Sequence, residues 1–339
     1  TANLALVVGE DRPYIGDVGG TPGLAAPGTS VDEDDLSGGS DTTPEATNVS
    51  HALAVNFGAD GPAAEGALRF DPNNATSLNN LTSGGQPVTV TVSEDGLTVT
   101  GMVGTDPIFT VTITGNATSG YGYNFNLTGT LDHAQGADQN ALNLSFGIIA
   151  TDGDGDQASG NFSVSVVDDV PNAVDDGVFQ LTTDAPSVDG NMLANDTVGA
   201  DGAAVTSITY GQTSYDVPAG GSVDITTEFG TLTVHSDGSY SYTLNPELSA
   251  AVGTYSETIP YTITDADGDT DGANLNFVIK VTDTGPKIEY GGEPGVAAPG
   301  ATVDEDDLTA RGGSDASPES TTVSHNLSID FSDDGAASS

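Results

Sequence analysis

The sequence contains no cysteine and no tryptophan among its 339 residues, and only 5 Lys+Arg against 50 Asp+Glu. Each shortage excludes something. Without cysteine there is no disulfide framework, no thiolate metal site and no thiol redox chemistry. A formal net charge of −45 argues against nucleic acid as a partner, because phosphate binding needs Lys and Arg. Direct contact with an anionic membrane surface is disfavoured for the same reason. No apolar run approaches the roughly 20 residues of a membrane helix. No signal peptide opens the chain, whose first residues, "TANLALVVGEDRP", read as the last strand of a preceding domain. The sequence therefore reads as an internal segment of something longer.

The charge excess is itself a problem, since one sign in such surplus pushes a compact state apart. Divalent cations, high salt or wide spacing along an extended molecule must offset it. A packed core is still available. Hydrophobic residues are 36% of the chain, mostly Val, Leu, Ile and Ala in short runs, and 45 glycines bring the composition near that of ordinary globular chains.

Repetition organises the chain. "GLAAPGTSVDEDDLSGGSDTTPEATNVSHALAVNFGADG" at 23–61 returns as "GVAAPGATVDEDDLTARGGSDASPESTTVSHNLSIDFSDDG" at 295–335. The same domain type therefore starts twice. Domain ends repeat as well. "VVGEDRP", "SVVDDVP" and "KVTDTGP" each run from an apolar strand through an acid to proline, which stops a strand ladder because it lacks the N–H donor. The expected divisions are 1–13, the end of a preceding domain with its linker; 14–170, the first full domain; 171–285, the second; and 286–339, a truncated start of a third.

Strand patterns fill both full domains, and no stretch carries a convincing helical period. "PVTVTVSEDGLTVTGMV" alternates around Asp95-Gly96, and "GTLTVHSDGSYSYTL" around Asp237-Gly238, both strong hairpin signals. Many short strands with Gly, Asn and Asp turns predict an all-β fold of tandem Ig-like antiparallel β-sandwiches in an extended array.

The chemistry concentrates in two loops. "TDGDGD" carries Asp152, Asp154 and Asp156, and "TDADGDTD" carries Asp265, Asp267, Asp269 and Asp271. In an Ig-like sandwich the loop before the last strand lies at the pole where the chain entered. Asp265, Asp267, Asp269 and Asp271 should then meet the linker acids Asp168, Asp169, Asp175 and Asp176. "LANDTVGADG", with Asp196 and Asp201, should share that pole. Asp152, Asp154 and Asp156 should face the first linker with Glu10 and Asp11, and "VDEDD" at 31–35 is expected to join them there. Asp283, before the following linker, is a further candidate metal ligand.

Two carboxylates about 4 Å apart repel by roughly 1–4 kcal/mol at effective dielectrics of 80 to 20. A hard dication resolves that conflict, and Ca²⁺ takes about 6–8 oxygens from carboxylates, carbonyls and water. The expected cofactor is Ca²⁺, several ions, mainly at the inter-domain joints. Soft metals lack ligands, for the four histidines are scattered. A self-contained EF-hand does not fit. Its sixth position, normally Gly, is Gln157 or Thr270, and its twelfth, normally Glu, is Ser163 or Asn276. Missing ligands must come from the linker and the neighbouring domain. The competing reading is that these are solvated turn aspartates, as Asp95 and Asp237 are expected to be.

The motifs carry a resemblance. "VDEDDL…GGSD" followed by "VSHALAVNFGADG" resembles the opening of repeats in giant type I-secreted RTX adhesins of the large-adhesion-protein group. Residues 172–283, with "NAVDDGVFQL", "GNMLANDTVGADG" and "YTITDADGDTDG", resemble the cadherin-like VCBS or bacterial Ig-like repeats of the same proteins. The resemblance implies extender domains that carry a distal binding domain away from a Gram-negative outer surface after secretion, with Ca²⁺ stiffening the joints. The partners it implies are neighbouring extender domains of the same chain, with the host or surface ligand bound elsewhere. The ligands it implies are Asp152, Asp154, Asp156, Asp265, Asp267, Asp269 and the linker acids.

An enzyme is not expected. Ser50-His51 and Ser324-His325 recur at equivalent positions, but a periodic strand explains them more simply. Paired carboxylates could serve a glycosidase, yet that needs a cleft with aromatic platforms, and tryptophan is absent. The sequons at Asn116 and Asn126 read as incidental. The alternative function is a glycan- or peptide-binding module in the first domain, whose surplus "GALRFDPNNATSLNNLTSGG" at 66–85 is either a binding insert or a long loop.

Overall fold

The computed structural model describes residues 11–16, 29–40, 46–73, 78–135, 139–245, 252–282, 287–290, 293–294 and 328–330. Glu10, Asp283, residues 1–10 of the segment 1–13 expected to end a preceding domain, and most of the repeat at 295–335 lie outside them.

The first sandwich is built from Tyr14–Gly16 (β1), Thr29–Asp32 (β2), Asn48–Asn56 (β3), Leu68–Phe70 (β4), Thr82–Ser83 (β5), Gln86–Pro87 (β6), Thr89–Val92 (β7), Thr98–Val103 (β8), Asp106–Asn116 (β9), Gly120–Leu127 (β10), Ala141–Thr151 (β11) and Gln157–Val167 (β12). One sheet has the order β1-β3-β10-β9-β8-β7 and the other β2-β12-β11-β4. β5 and β6 form a small separate ribbon. Alternation places Phe146, Phe162, Val164 and Val166 of one sheet and Phe109, Val111, Tyr123 and Phe125 of the other in the core. Their rings interleave, Tyr123 stacking on Phe162 at 4.0 Å and Phe162 on Phe146 at 5.4 Å between centroids. The surplus at 66–85 is no appended loop. It supplies β4 to the smaller sheet and buries Leu78 and Leu81.

The second sandwich follows with Val178–Thr182 (β13), Ser187–Asn191 (β14), Ala203–Tyr210 (β15), Thr213–Asp216 (β16), Ser222–Thr226 (β17), Gly230–His235 (β18), Ser239–Leu244 (β19), Gly253–Asp265 (β20) and Thr270–Val281 (β21). Its sheets have the orders β13-β21-β20-β15-β16 and β14-β19-β18-β17. The buried face of β21 is Ala273, Leu275, Phe277, Ile279 and Val281, the period of two seen in the sequence. No α-helix occurs among the described residues.

The sandwiches are antiparallel except at two places. β2 runs parallel to β12, pairing Thr29 with Val164 and Asp32 with Val167. β13 runs parallel to β21, pairing Val178 with Asn276 and Thr182 with Lys280. The last strand of each module thus has a parallel neighbour: β13, the first strand of the second module, beside β21, and β2, which follows β1, beside β12.

One polar group sits deep in the second core. Glu257 is buried and accepts hydrogen bonds from the hydroxyls of Tyr242 and, at 2.9 Å, Tyr210. Tyr242→Phe leaves the packing intact and one buried carboxylate oxygen without its donor. The expected cost is about 1–3 kcal/mol, measured as a lower urea midpoint at unchanged slope.

Candidate metal centre

The two aspartate loops are hairpin turns of one design. In the β11–β12 turn, Asp152 Oδ1 accepts from the backbone N–H of Gly155 at 3.1 Å and of Asp156 at 2.7 Å. In the β20–β21 turn, Asp265 Oδ1 accepts from Gly268 at 2.9 Å and Asp269 at 2.7 Å. Each turn closes with the first aspartate's N–H on the fifth residue's carbonyl at 3.1 Å. Gly155 at φ 101° and Gly268 at φ 106° occupy the left-handed region, which costs glycine nothing. The first aspartate thus builds the turn, and the third and fifth are left to do something else.

At the joint between the sandwiches, Asp168 emerges from β12 and meets Asp267 and Asp269 of the second sandwich. One carboxylate oxygen from each lies within 4.8 Å of the others. Asp168 is fully buried and Asp269 nearly so. Asp168 Oδ1, Asp265 Oδ2 and Asp267 Oδ1 accept no hydrogen bond, although buried acceptors are nearly always satisfied. Burial, then the nearby Asp267 and Asp269, pushes Asp168 up to about 8 against the pull of His133. Burial and Asp267 push Asp265 up to about 7. Orphaned, buried and mutually repelling oxygens are the donor set of a hard dication, so these residues fit Ca²⁺.

The joint is also fastened without metal. His133 donates its backbone N–H to Asp267 Oδ2 at 2.8 Å, and Gln135 Nε2 donates to the Gly268 carbonyl at 3.0 Å. Asp169, fully buried, accepts from Ser40 N at 3.1 Å and Ser40 Oγ on the first sandwich, and from Ala200 N at 2.7 Å on the second.

The other acids expected at this pole hold the linker to the second sandwich. Asp175 Oδ1 accepts from Asn274 N and Nδ2, both at 2.9 Å. Asp271 Oδ2 accepts from Ala173 N at 2.7 Å. Asp196 accepts from Val174 N at 2.7 Å and from the Tyr261 hydroxyl at 3.0 Å. Asp176 is buried with Oδ2 unpartnered, and burial, then Asp196, pushes it up to about 7. Burial, then Asp271 among its neighbours, raises Asp196 as well, against its hydrogen bonds.

At the opposite pole, Asp152, Asp154 and Asp156 offer oxygens within 4.8 Å of one another. Asp152 is buried with Oδ2 unpartnered; burial, then Asp154, raises its pKa. Asp11 accepts from Ala59 N at 2.6 Å, and Arg12 Nε lies 3.3 Å from Asp156 Oδ2. That exposed ion pair contributes little, but it brings one cation of the first linker to the loop.

"VDEDD" lies elsewhere than expected. Because β2 runs parallel to β12, residues 33–35 leave at the joint between the sandwiches, not at the first linker. There Glu33 is buried, its Oε1 accepting from Leu131 N at 2.8 Å and lying 3.5 Å from His133 Nε2. Burial pushes Glu33 up to about 7, against the pull of His133. Sequence reasoning treated the histidines as scattered and missed His133. The available signal was "LDHAQGADQN", a polar loop ahead of β11, whose first residue Ala141 pairs with Val167 beside the acidic linker.

Asp95 and Asp237 are turn residues. Asp95 Oδ1 accepts from Ser93 Oγ at 2.5 Å and Leu97 N at 3.0 Å; Asp237 Oδ1 accepts from Ser239 Oγ at 2.6 Å and Ser239 N at 3.0 Å. These bonds hold both carboxyls below their ordinary pKa. Ser50 and His51 are neighbours on β3, opposite Asn124 and Tyr123. Adjacent strand residues point to opposite faces, so they make no catalytic pair.

Two sandwiches in series, their linker acids gathered at the joint, define a tandem Ig-like repeat protein. Residues 168–278 match the family model of the bacterial Ig domain, and residues 28–165 match a domain of unknown function, DUF5801. The two matches support a bacterial Ig-like repeat protein. No curated protein matches its sequence. Among solved structures it is similar to the extracellular cadherin domains 1–4 of protocadherin gamma B7, at 14% identity and TM-score 0.26, covering 82% of this chain and 53% of that one. Drosophila N-cadherin EC1–4 gives 13% and 0.24, covering 84% and 54%. The zebrafish RET cadherin-like domains 1 to 4 give 11% and 0.30, covering 80% and 52%. The chain thus spans about half the length of these structures. Among the described residues no helix is long and apolar enough to cross a membrane.

Proposed function

We propose that the chain is a calcium-stiffened extender segment of a bacterial surface adhesin of the type I-secreted RTX kind. It holds distal binding domains away from the outer surface of a Gram-negative cell for adhesion and biofilm formation. The observation that carries this reading is the Asp168–Asp267–Asp269 cluster, two of its acids buried and one half-buried, whose members come from both sandwiches. Without a cation it repels; with Ca²⁺ it ties the linker to the second module. The duplicated domain start at 295 supports a spacer, since repeated units add length. The burial of Leu78 and Leu81 gives residues 66–85 a packing role, which weighs against the alternative of a glycan- or peptide-binding insert.

Small-angle scattering in calcium, then in excess EGTA, tests the reading. Calcium should give the larger maximum dimension and a narrower distribution of joint angles. An unchanged maximum dimension would overturn the stiffening role.

A further inference from the structure

Beside the all-carboxylate cluster lies a second group of different chemistry. Glu33, His133 and Asp168 are all buried, and one ligand atom from each lies within 4.8 Å of the others. The side chains of Glu33 and His133 are 0% exposed. Glu33 Oε2, Asp168 Oδ1 and His133 Nε2 have no hydrogen-bond partner.

The tautomer of His133 follows from its neighbours. Asn140 donates through Nδ2 to the Ala134 carbonyl at 2.8 Å and to Asp168 Oδ2 at 3.1 Å. The Ala134 carbonyl can only accept, so the amide is fixed with Oδ1 facing His133 Nδ1 at 3.2 Å. Nδ1 must therefore carry the hydrogen, leaving Nε2 to face the carboxylates. A ligating histidine is oriented in this way, with its other ring N–H held by an acceptor behind it. Nε2 and Glu33 Oε1 are 3.5 Å apart. Two ligands bound at about 2.0–2.1 Å in a tetrahedron are separated by about 3.4 Å. Imidazole nitrogen is foreign to Ca²⁺, which selects oxygen, and at home on Zn²⁺.

We propose that Glu33, His133 and Asp168 form a Zn²⁺ site, separate in chemistry from the carboxylate cluster and locking the 128–135 loop of the first sandwich against its linker. Asp168 belongs to both groups, so the two ions share that carboxylate, while Glu33 and His133 belong to this one alone and their variants read Zn²⁺ separately from calcium. The rival occupant of the gap is a proton on Nε2, making His133 a plain counter-charge.

The test uses the tag-free full chain, saturated with Ca²⁺, titrated calorimetrically with Zn²⁺ and by visible absorption with Co²⁺. One equivalent of Zn²⁺ should bind, and Co²⁺ should give the intense bands of a tetrahedral ion. Losing an orienting partner costs roughly 10–100-fold in metal affinity, so Asn140→Ala should weaken Zn²⁺ by that factor and His133→Ala by at least about 100-fold. Both should keep the calcium-dependent rise in Tm. Should either variant fail to fold, ¹⁵N spectra of the wild-type imidazole decide. Nε2 should shift on Zn²⁺ addition while Nδ1 stays protonated. Absence of Zn²⁺ uptake, uptake unchanged in His133→Ala, or an Nε2 that stays protonated in excess Zn²⁺ overturns the site.

Discussion

Asp267→Asn with Asp269→Asn is expected to abolish most of the calcium-dependent rise in Tm and to reverse sign when calcium is removed. An ion that binds only the folded state stabilises it by about 2.7 kcal/mol at 100 times its dissociation constant. For a domain of this size that is roughly 5–10 °C in Tm. The wild type should show a rise of that order, and the double variant little of it. Asparagine keeps the shape and the acceptor that takes the His133 N–H while removing charge. In metal-free buffer it also removes repulsion around buried Asp168. The variant should therefore melt at or above the wild type in EGTA, and below it in calcium. A purely structural role predicts a loss in both buffers. A double variant that keeps the full calcium response would sink the assignment of these ligands. Asp95→Ala and Asp237→Ala, in turns outside the clusters, should leave the response intact.

The second large effect is pH dependence of opposite sign with and without calcium. In metal-free protein, burial raises Asp168 to about 8 and Glu33, Asp176 and Asp265 to about 7. Unfolded carboxylates titrate near 4. Between those values the folded state holds more protons, so stability falls as pH rises. It is fully present below about pH 4 for these groups and lost through pH 7–8. His133 acts in the same direction. Burial lowers it, but Glu33 and Asp168 outweigh burial and raise it to about 9, so its contribution holds below about 6.5 and is lost through 9. The facing groups Asp267, Asp269 and Asp201 add negative charge. Calcium needs the carboxylates ionised, so its contribution grows over the same interval. Between pH 5 and 8 the Tm of stripped protein should fall while the gap to the calcium-loaded protein widens. Parallel curves would mean that these acids are not the ligands.

Local chemistry made much of this architecture legible from sequence. The alternation of β21 and the Asp95-Gly96 and Asp237-Gly238 turns are written in neighbouring residues, and the structure follows them. The reasoning that a loop before the last strand returns to the entry pole brought Asp267 and Asp269 to Asp168. What sequence did not carry is non-local. Nothing in "TSVD" announces that β2 runs parallel to β12, and that pairing alone moves Glu33 from one pole to the other. His133 has no ligand at a fixed spacing. Asp169, Asp175 and Asp271 looked like the cluster acids, yet backbone N–H groups occupy them, a distinction that only the folded chain makes.

The parallel pairing of entering and leaving strands has a mechanical consequence. When neighbours are tugged apart, β13 is drawn toward one end of its module and β21 toward the other. Their hydrogen bonds, spread over the rungs from Val178–Asn276 to Thr182–Lys280, are then loaded lengthwise and together. Sliding one strand past the other requires all of them to yield at once, whereas peeling would break them singly. The second module therefore resists traction along its own axis where a tether under flow would meet it.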